Sequence, residues 1–337
     1  MIIIPDRVFV VAEVGVNHEG DFFKAAEMID LAAQAGADAV KFQTYIPEKY
    51  VSSSQRERLE RVKKFSLSFK DFSGLSARAK EKNIVFFSTP LDFESLALVS
   101  ELSPIIKISS GDINNYEFLE RAAATGKIII LSTGLSTVDE IDKAVRIINK
   151  GNPSIITERK LILLHCIAAY PAPEDEVNLL SIPYLKNKFS IPVGYSDHTK
   201  GILACQAAVA LGACVIEKHF TYRKEGQSFH DHHLSADPEE FMELVSAIRR
   251  IEKMRGIFDK SPMPAEMPFK SHIRRSLAAE RDLNLGDILG EDDICYLRPA
   301  TGILIDDLKT ALGKRVKKKI SKGEIISKED IADFDGN

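Results

Sequence analysis

The sequence predicts a (β/α)8 barrel, of the TIM type, followed by a small separate β domain. Three observations carry this. Short β-branched runs alternate with amphipathic stretches eight times within the first ~260 residues. The runs turn polar at their C-terminal ends, and the texture changes after a proline-rich segment near residue 262.

The strand candidates are Val8–Glu13, Ala39–Gln43, Ile84–Ser88, Ile105–Ser109, Ile128–Ser132, Leu161–His165, Val193–Ser196 and Cys214–His219. Between them, stretches such as FFKAAEMIDLAAQAG, TVDEIDKAVRIINK, ILACQAAVALG and PEEFMELVSAIRRIEK have helical periodicity. Continuously apolar strands separated by helices imply a parallel sheet buried on both faces. A doubly wound open sheet is the alternative. No glycine fingerprint follows the first strand, so the barrel is the better reading.

The segment SPMPAEMPFKS holds three prolines and no helical period, which predicts a linker. The expected division is a barrel over 1–261, a linker over 262–275 and a β domain over 276–337. Within that domain Leu283–Ile294 (LNLGDILGEDDI) and Ile320–Ile331 (ISKGEIISKEDI) echo each other, which predicts a compact pseudo-symmetric fold.

Of 337 residues, 45% are hydrophobic and 28% charged, with a net charge of −4. Such a balance suggests no nucleic-acid surface, and the basic run Lys314–Lys319 is expected to be a solvated edge. The opening Met-Ile-Ile-Ile meets Pro5-Asp6 too soon for a signal peptide. No run approaches the ~20 apolar residues that span a bilayer. Cys166, Cys205, Cys214 and Cys295 sit in apolar contexts and are expected to be free thiols. A cytoplasmic protein without membrane partners is the expectation.

The polar strand ends are Glu13, Lys41 and Gln43, Ser88-Thr89, Lys107 and Ser110, Ser132-Thr133, His165, Ser196-Asp197-His198, and Lys218-His219. In a barrel these ends converge on one mouth, where such folds place their chemistry. Lys41 and Lys107, with the hydroxyls of Ser110 and Ser132 and the amides of the SSGD and STGL turns, suit a small phosphate-bearing dianion. The plainer reading is a buried Lys41–Glu13 pair.

His198 and His219 end neighbouring strands and can share one divalent ion, leaving positions for water and substrate. His165 is a third candidate, ranked below them and expected to hydrogen-bond beneath the site. Phe229–His233 crowds three histidines into a loop; Asp231 is expected to meet substrate hydroxyls there, with the histidines solvated. Glu13 is a candidate for proton transfer or for positioning water, unless it only neutralises Lys41.

The blocks AEVGVNHEGD, GADAVKFQT, STPLDFES, KISSGDINN, ILSTG, LLHC with YPAP, VGYSDHT and GACVIEKHFT follow one another in the order seen in sialic acid synthases. Nearly the whole chain resembles that family, which includes N-acetylneuraminate, legionaminate and pseudaminate synthases. The tail resembles their antifreeze-like SAF domain, a β-clip. The resemblance implies condensation of phosphoenolpyruvate with an N-acetylmannosamine-type sugar to a nine-carbon 2-keto acid and phosphate. It implies a divalent metal held by His198 and His219, manganese first, with magnesium or cobalt as alternatives.

By the same resemblance Lys41, Thr89, Lys107, Ser110, Ser132 and Ser196 would hold phosphoenolpyruvate. Glu13 would act on the attacking water or the sugar, and Gln43, Asp112, Tyr170 and Asp231 would face the sugar. Arg298 of LRPATG would reach the partner's sugar site in a domain-swapped homodimer. The chain departs from the family pattern at Asp112 (often Glu), at Ile167-Ala168-Ala169 (often a polar residue), at Phe229-His230 (usually Gly-Pro) and at Ala300 (often Gly).

These departures bear on the acceptor, which stays open among N-acetylmannosamine, its 6-phosphate and a 2,4-diacetamido-trideoxy hexose. The wording leans towards the legionaminate and N-acetylneuraminate side. Two other readings are a different metal-dependent barrel aldolase or lyase, and a non-catalytic sugar-binding barrel. Intact Lys41, Lys107, His198 and His219 argue against the second.

Overall fold

All eight predicted strands form, each with ends within two residues of those expected. The computed structural model describes residues 7–227, 229 and 231–334. The strands are β1 (Phe9–Gly15), β2 (Ala39–Thr44), β3 (Val85–Pro90), β4 (Ile105–Ile108), β5 (Ile128–Ser132), β6 (Leu161–Cys166), β7 (Val193–Asp197) and β8 (Val215–His219). They close in sequence order into one barrel. Every neighbouring pair is parallel, including β8 with β1.

Side chains alternate across each strand, and the two faces collect different partners. Phe9, Val11, Phe87, Ile130, Leu164 and Val215 fill the barrel interior. Val10, Phe42, Ile106, Leu131, Leu163 and Ile216 pack outward against the helices. The helices begin where polar residues can accept their orphan amides. Asp21, Asp92 and Asp237 cap helices Phe22–Gln34, Phe93–Leu102 and Pro238–Arg255. Thr137 with Glu140 forms a capping box for Val138–Gly151; each such cap contributes ~1 kcal/mol.

No helix among the described residues is long and apolar enough to cross a membrane. All four cysteines are free, with Cys166 and Cys205 buried.

The chain divides into two compact units at Gly256–Ile257. The proline-rich segment contains two helical stretches, Pro264–Phe269 and Lys270–Ile273, rather than irregular chain alone. In the second unit β9 (Ser276–Ala279) pairs antiparallel with β10 (Ile294–Leu297). The repeat read from the sequence has a structural counterpart. Leu283 and Ile320, equivalent positions, exchange both backbone hydrogen bonds (2.8 and 2.9 Å). Gly286 and Gly323 both have positive φ, +93° and +80°. Asp293 accepts from Gly290 N and Arg281, as Asp330 does from Ser327 N and Lys318.

Candidate active site

Above the apolar filling, the inward-facing positions become polar. Glu13, Lys41, Thr89, Lys107, Ser132, Ser196, Glu217 and His219 line one cavity of about 450 Å³, and Gln43, Ser110, Cys166, Tyr170, His198 and Asp231 border it. The β1–β2 ladder slips at Glu13/Gly15, a bulge that ends regular pairing beside the site. Gly15 has φ +55°, and a Cβ there would stand 3.2 Å from Glu13 Oε1.

The cavity floor is a network of two lysines and two carboxylates. Lys41 Nζ lies 2.9 Å from Glu13 Oε2 and 3.5 Å from Glu217 Oε2. Lys107 Nζ lies 3.9 Å from Glu217 Oε1 and donates to Ser132 Oγ at 2.6 Å. Lys41 also donates to Thr89 Oγ1, and Ser196 Oγ donates to Glu217 Oε1 at 2.8 Å. All four charged groups are buried.

Burial pushes the Glu13 carboxyl up to about 7; Lys41 opposes this and the Glu217 charge adds to it. Burial also works to raise Glu217, but Lys107 and Lys41 outweigh it and hold it below the usual range. Lys107 is pushed down, chiefly by burial. The floor therefore sets two lysines against one carboxylate held ionised and one, Glu13, that gives up its charge near pH 7. That shortage of negative charge beside the lysines suits an incoming dianion.

His198 and His219 stand side by side at the cavity wall, ring centroids 5.4 Å apart. His198 Nδ1 is 2.6 Å from the Ile167 carbonyl, so it carries the proton and leaves the Nε2 lone pair available. Burial lowers the pKa of this ring and favours the neutral, ligating form. One divalent ion ~2.1 Å from a nitrogen of each ring is compatible with that spacing. Among the described residues no group of three or more His, Cys, Asp and Glu is arranged for a metal. Two imidazoles beside an open polar cavity fit an ion completed by water and substrate oxygens, as magnesium or manganese prefers. Tyr170, 46% exposed, lies against both rings at 4.1 and 5.9 Å.

Residues 28–260 match the NeuB family, and residues 274–332 match the SAF domain. The chain belongs to the NeuB family. It is 44% identical to an uncharacterized protein of Methanocaldococcus jannaschii, over 96% of this chain and 94% of that one. It is 40% identical to N,N'-diacetyllegionaminic acid synthase of Campylobacter jejuni, over 95% of this chain and 99% of the relative. The crystal structure of an N-acetylneuraminic acid synthetase from Leptospira borgpetersenii, in complex with citrate, superposes with a TM-score of 0.74. That structure is 42% identical, covering 78% of this chain and 90% of its own.

Most site residues predicted for this NeuB-family barrel come together in the one cavity; several do not. Asp112 accepts from Ser109 Oγ and borders an adjacent groove with Lys49, Asp92 and Asn115 instead of the main cavity. Arg298 is exposed just after β10, in the second unit. His165 faces outward, its Nε2 2.7 Å from Val177 O in the segment after β6 and its ring stacked on Tyr195, so it joins no metal pair and lies outside the barrel, not beneath the site. Of the strand-end residues, Ser88, Asp197 and Lys218 also point away from the mouth: Ser88 pairs with Thr44 and Asp197 with Lys218.

The STGL turn does not offer its glycine amide to the cavity. Gly134 N donates to Ser110 Oγ at 3.0 Å, and a Cβ there would meet that oxygen and Cys166 Sγ at 2.9 Å. In the loop after β8, Asp231 borders the cavity, but His232 is not solvated. It is fully buried, with Nδ1 2.7 Å from Thr221 Oγ1. His233 is exposed, and His230 lies outside the described residues.

Glu217 is the principal residue that sequence reasoning missed. Its place two residues before His219 on β8, hence on the same inward face, is the signal that could have found it.

Proposed function

We propose that this chain condenses phosphoenolpyruvate with the open-chain aldehyde of an N-acetylated hexosamine, giving a nine-carbon 2-keto acid and inorganic phosphate. The observation that carries this is the paired-lysine floor directly beside the His198–His219 pair, one fitting a phosphate-bearing dianion and the other a divalent ion. The names of the relatives, synthases of nonulosonic acids, support the same reaction class.

Lys41 and Lys107 bind the phosphate and carboxylate of the donor as point charges, and Thr89, Ser132 and Ser196 add directional contacts. Ser110 contributes from the adjoining turn. A divalent metal held by His198 and His219, manganese in the first instance, supplies Lewis acidity towards the sugar aldehyde. Carbon 3 of phosphoenolpyruvate forms the new bond to the aldehyde carbon. Water adds at carbon 2, and the carbon–oxygen bond to phosphate breaks.

Glu13, poised near pH 7, holds or releases the proton that the added water and the leaving phosphate exchange. Gln43, Tyr170 and Asp231 orient the acceptor. Ala168 borders the cavity as a small apolar group where a polar contact would otherwise be made, a feature of the acceptor side. Arg298 completes the sugar site from the partner of a domain-swapped homodimer. Asp112, which borders a different groove, is left out of this assignment.

The deciding experiment measures phosphate release with manganese, phosphoenolpyruvate and a panel of four or five N-acetylated hexosamines, 2,4-diacetamido sugars and 6-phosphates included. Release is expected only when donor and acceptor are both present. Product formed from pyruvate in place of phosphoenolpyruvate would instead make the protein an aldolase or lyase.

A further inference from the structure

Behind the two histidines, on the outer face of the barrel, lies an ion pair sealed from solvent. Asp197 and Lys218 are 0% and 1% exposed, and their charged atoms are 2.7 Å apart. They are register partners on β7 and β8, and each immediately precedes in the chain one member of the histidine pair.

The contacts of this pair are specific. Asp197 Oδ1 accepts from Thr199 N (2.9 Å) and from Tyr195 OH (3.0 Å). Its Oδ2 accepts from Lys218 Nζ and from the Cys205 thiol (3.2 Å), which rises from helix Leu203–Ala210. Lys218 Nζ also donates to the Thr199 carbonyl at 2.6 Å. Both backbone groups of Thr199 are thus tied to the pair, and His198 is held between two anchored residues.

A dry ion pair is a poor way to stabilise a fold. Desolvating both charges offsets most of their attraction, and apolar residues of the same volume often do as well or better. What the pair supplies is geometry. Any slip of the β7 end relative to β8 would separate two charges in a medium without water. We propose that Asp197 and Lys218 are positioning residues that set the spacing of His198 and His219 for the divalent ion, an inference that rests on the metal reading above.

The test uses the full-length, metal-stripped protein without substrates, with manganese binding followed by electron paramagnetic resonance of the free ion and thermal unfolding measured in parallel. The double variant Asp197→Leu/Lys218→Met removes both charges together and leaves none buried alone. Its manganese dissociation constant is expected to rise by roughly 10- to 100-fold, the usual effect of removing groups that orient ligands, in a variant whose unfolding curve shows it folded, though less stable for the partners that Thr199 and Tyr195 lose. Unchanged affinity in the folded double variant overturns the proposal.

Should that variant not fold, Tyr195→Phe removes one of the four donors to Asp197 and leaves both charges paired. A several-fold weaker manganese affinity is expected there, and an unaltered one again overturns the proposal. His219→Ala separates the two readings. If it binds manganese as well as the parent, the metal site and this inference fall together; if it alone loses binding, only the positioning role falls.

Discussion

Glu13 and Glu217 share one ammonium: their Oε2 atoms lie 2.9 and 3.5 Å from Lys41 Nζ. The two carboxylates come from β1 and β8, which are neighbours only because the barrel closes. They do not divide the lysine equally. Glu217 has Lys107 and Ser196 as well and stays ionised, whereas Glu13 is left with burial and a nearby like charge and holds a proton up to about pH 7. The same constellation thus separates a fixed anion from a titrating acid.

The titrating acid should be visible in stability. An unfolded Glu13 releases its proton near 4.5, the folded one near 7. Between those values the native state binds more protons than the unfolded state, so stability falls as pH rises through the window and levels off above it. Glu13→Gln cannot titrate and mimics the protonated form. Its melting temperature should match the parent near pH 5 and equal or exceed it at pH 8. A parent curve with the same slope as the variant between pH 5 and 8 would show that Glu13 has an ordinary pKa. In kinetics, the step near pH 7 in kcat/KM should vanish in the variant.

The fixed anion should be visible through the lysines. Glu217→Gln leaves Lys107 buried without its nearest carboxylate and halves the compensation of Lys41. Removing one partner of a buried pair costs about 3 kcal/mol or more. If phosphoenolpyruvate binds these lysines as proposed, it restores negative charge there, so its stabilising effect on thermal unfolding should be larger in Glu217→Gln than in the parent. An equal ligand-induced shift in the two proteins would place the donor's charges elsewhere.

Why Glu217 escaped sequence reading while Lys41 did not is instructive. Apolar strands with polar ends are a local pattern, and all eight strands were legible from it. Which of two adjacent polar residues enters the cavity depends on one step of alternation, so Lys218 and His219 looked alike although one faces the helices and the other the mouth. Glu217 stands between Ile216 and Lys218, where the strand turns polar, and its partners Lys41 and Lys107 belong to strands far away in sequence. His232 looked like a loop residue, yet the turn Asp231–Leu234 packs it beneath Thr221. Asp112 is the last residue of the SSGD turn, and its local bond from Ser109 carries the carboxylate into the neighbouring groove. Burial by tertiary packing has no signature in a short window.

The two histidine classes should separate on substitution. If His219 holds the divalent ion as proposed, turnover of His219→Ala should fall by roughly 100-fold or more, because a Lewis acid contributes several kcal/mol to such a step. Excess manganese should restore little of it. His165→Ala, whose ring bonds the Val177 carbonyl and stacks on Tyr195 outside the barrel, should lose about 1–3 kcal/mol of stability. It should keep the manganese affinity of the parent. Near-parental rates for His219→Ala in manganese-supplemented buffer would remove that residue from the reaction.

Arg298 tests the contribution of the second unit. As a charge-assisted donor to the acceptor it should be worth ~1.5–3 kcal/mol. Arg298→Ala should therefore raise KM for the sugar about 10- to 100-fold while KM for phosphoenolpyruvate changes little. If the arginine comes from the partner subunit, two crippled chains should rescue each other. In a mixed dimer of His219→Ala with Arg298→Ala, one site combines both defects, and the other pairs an intact His219 with an intact Arg298. In a population made only of mixed dimers, about one half of the sites should therefore be whole. Co-expression of the two variants under separate tags, followed by phosphate-release assay of the doubly purified dimer, reads this directly. Activity no higher than that of the better single variant would place Arg298 and His219 of one site on the same chain.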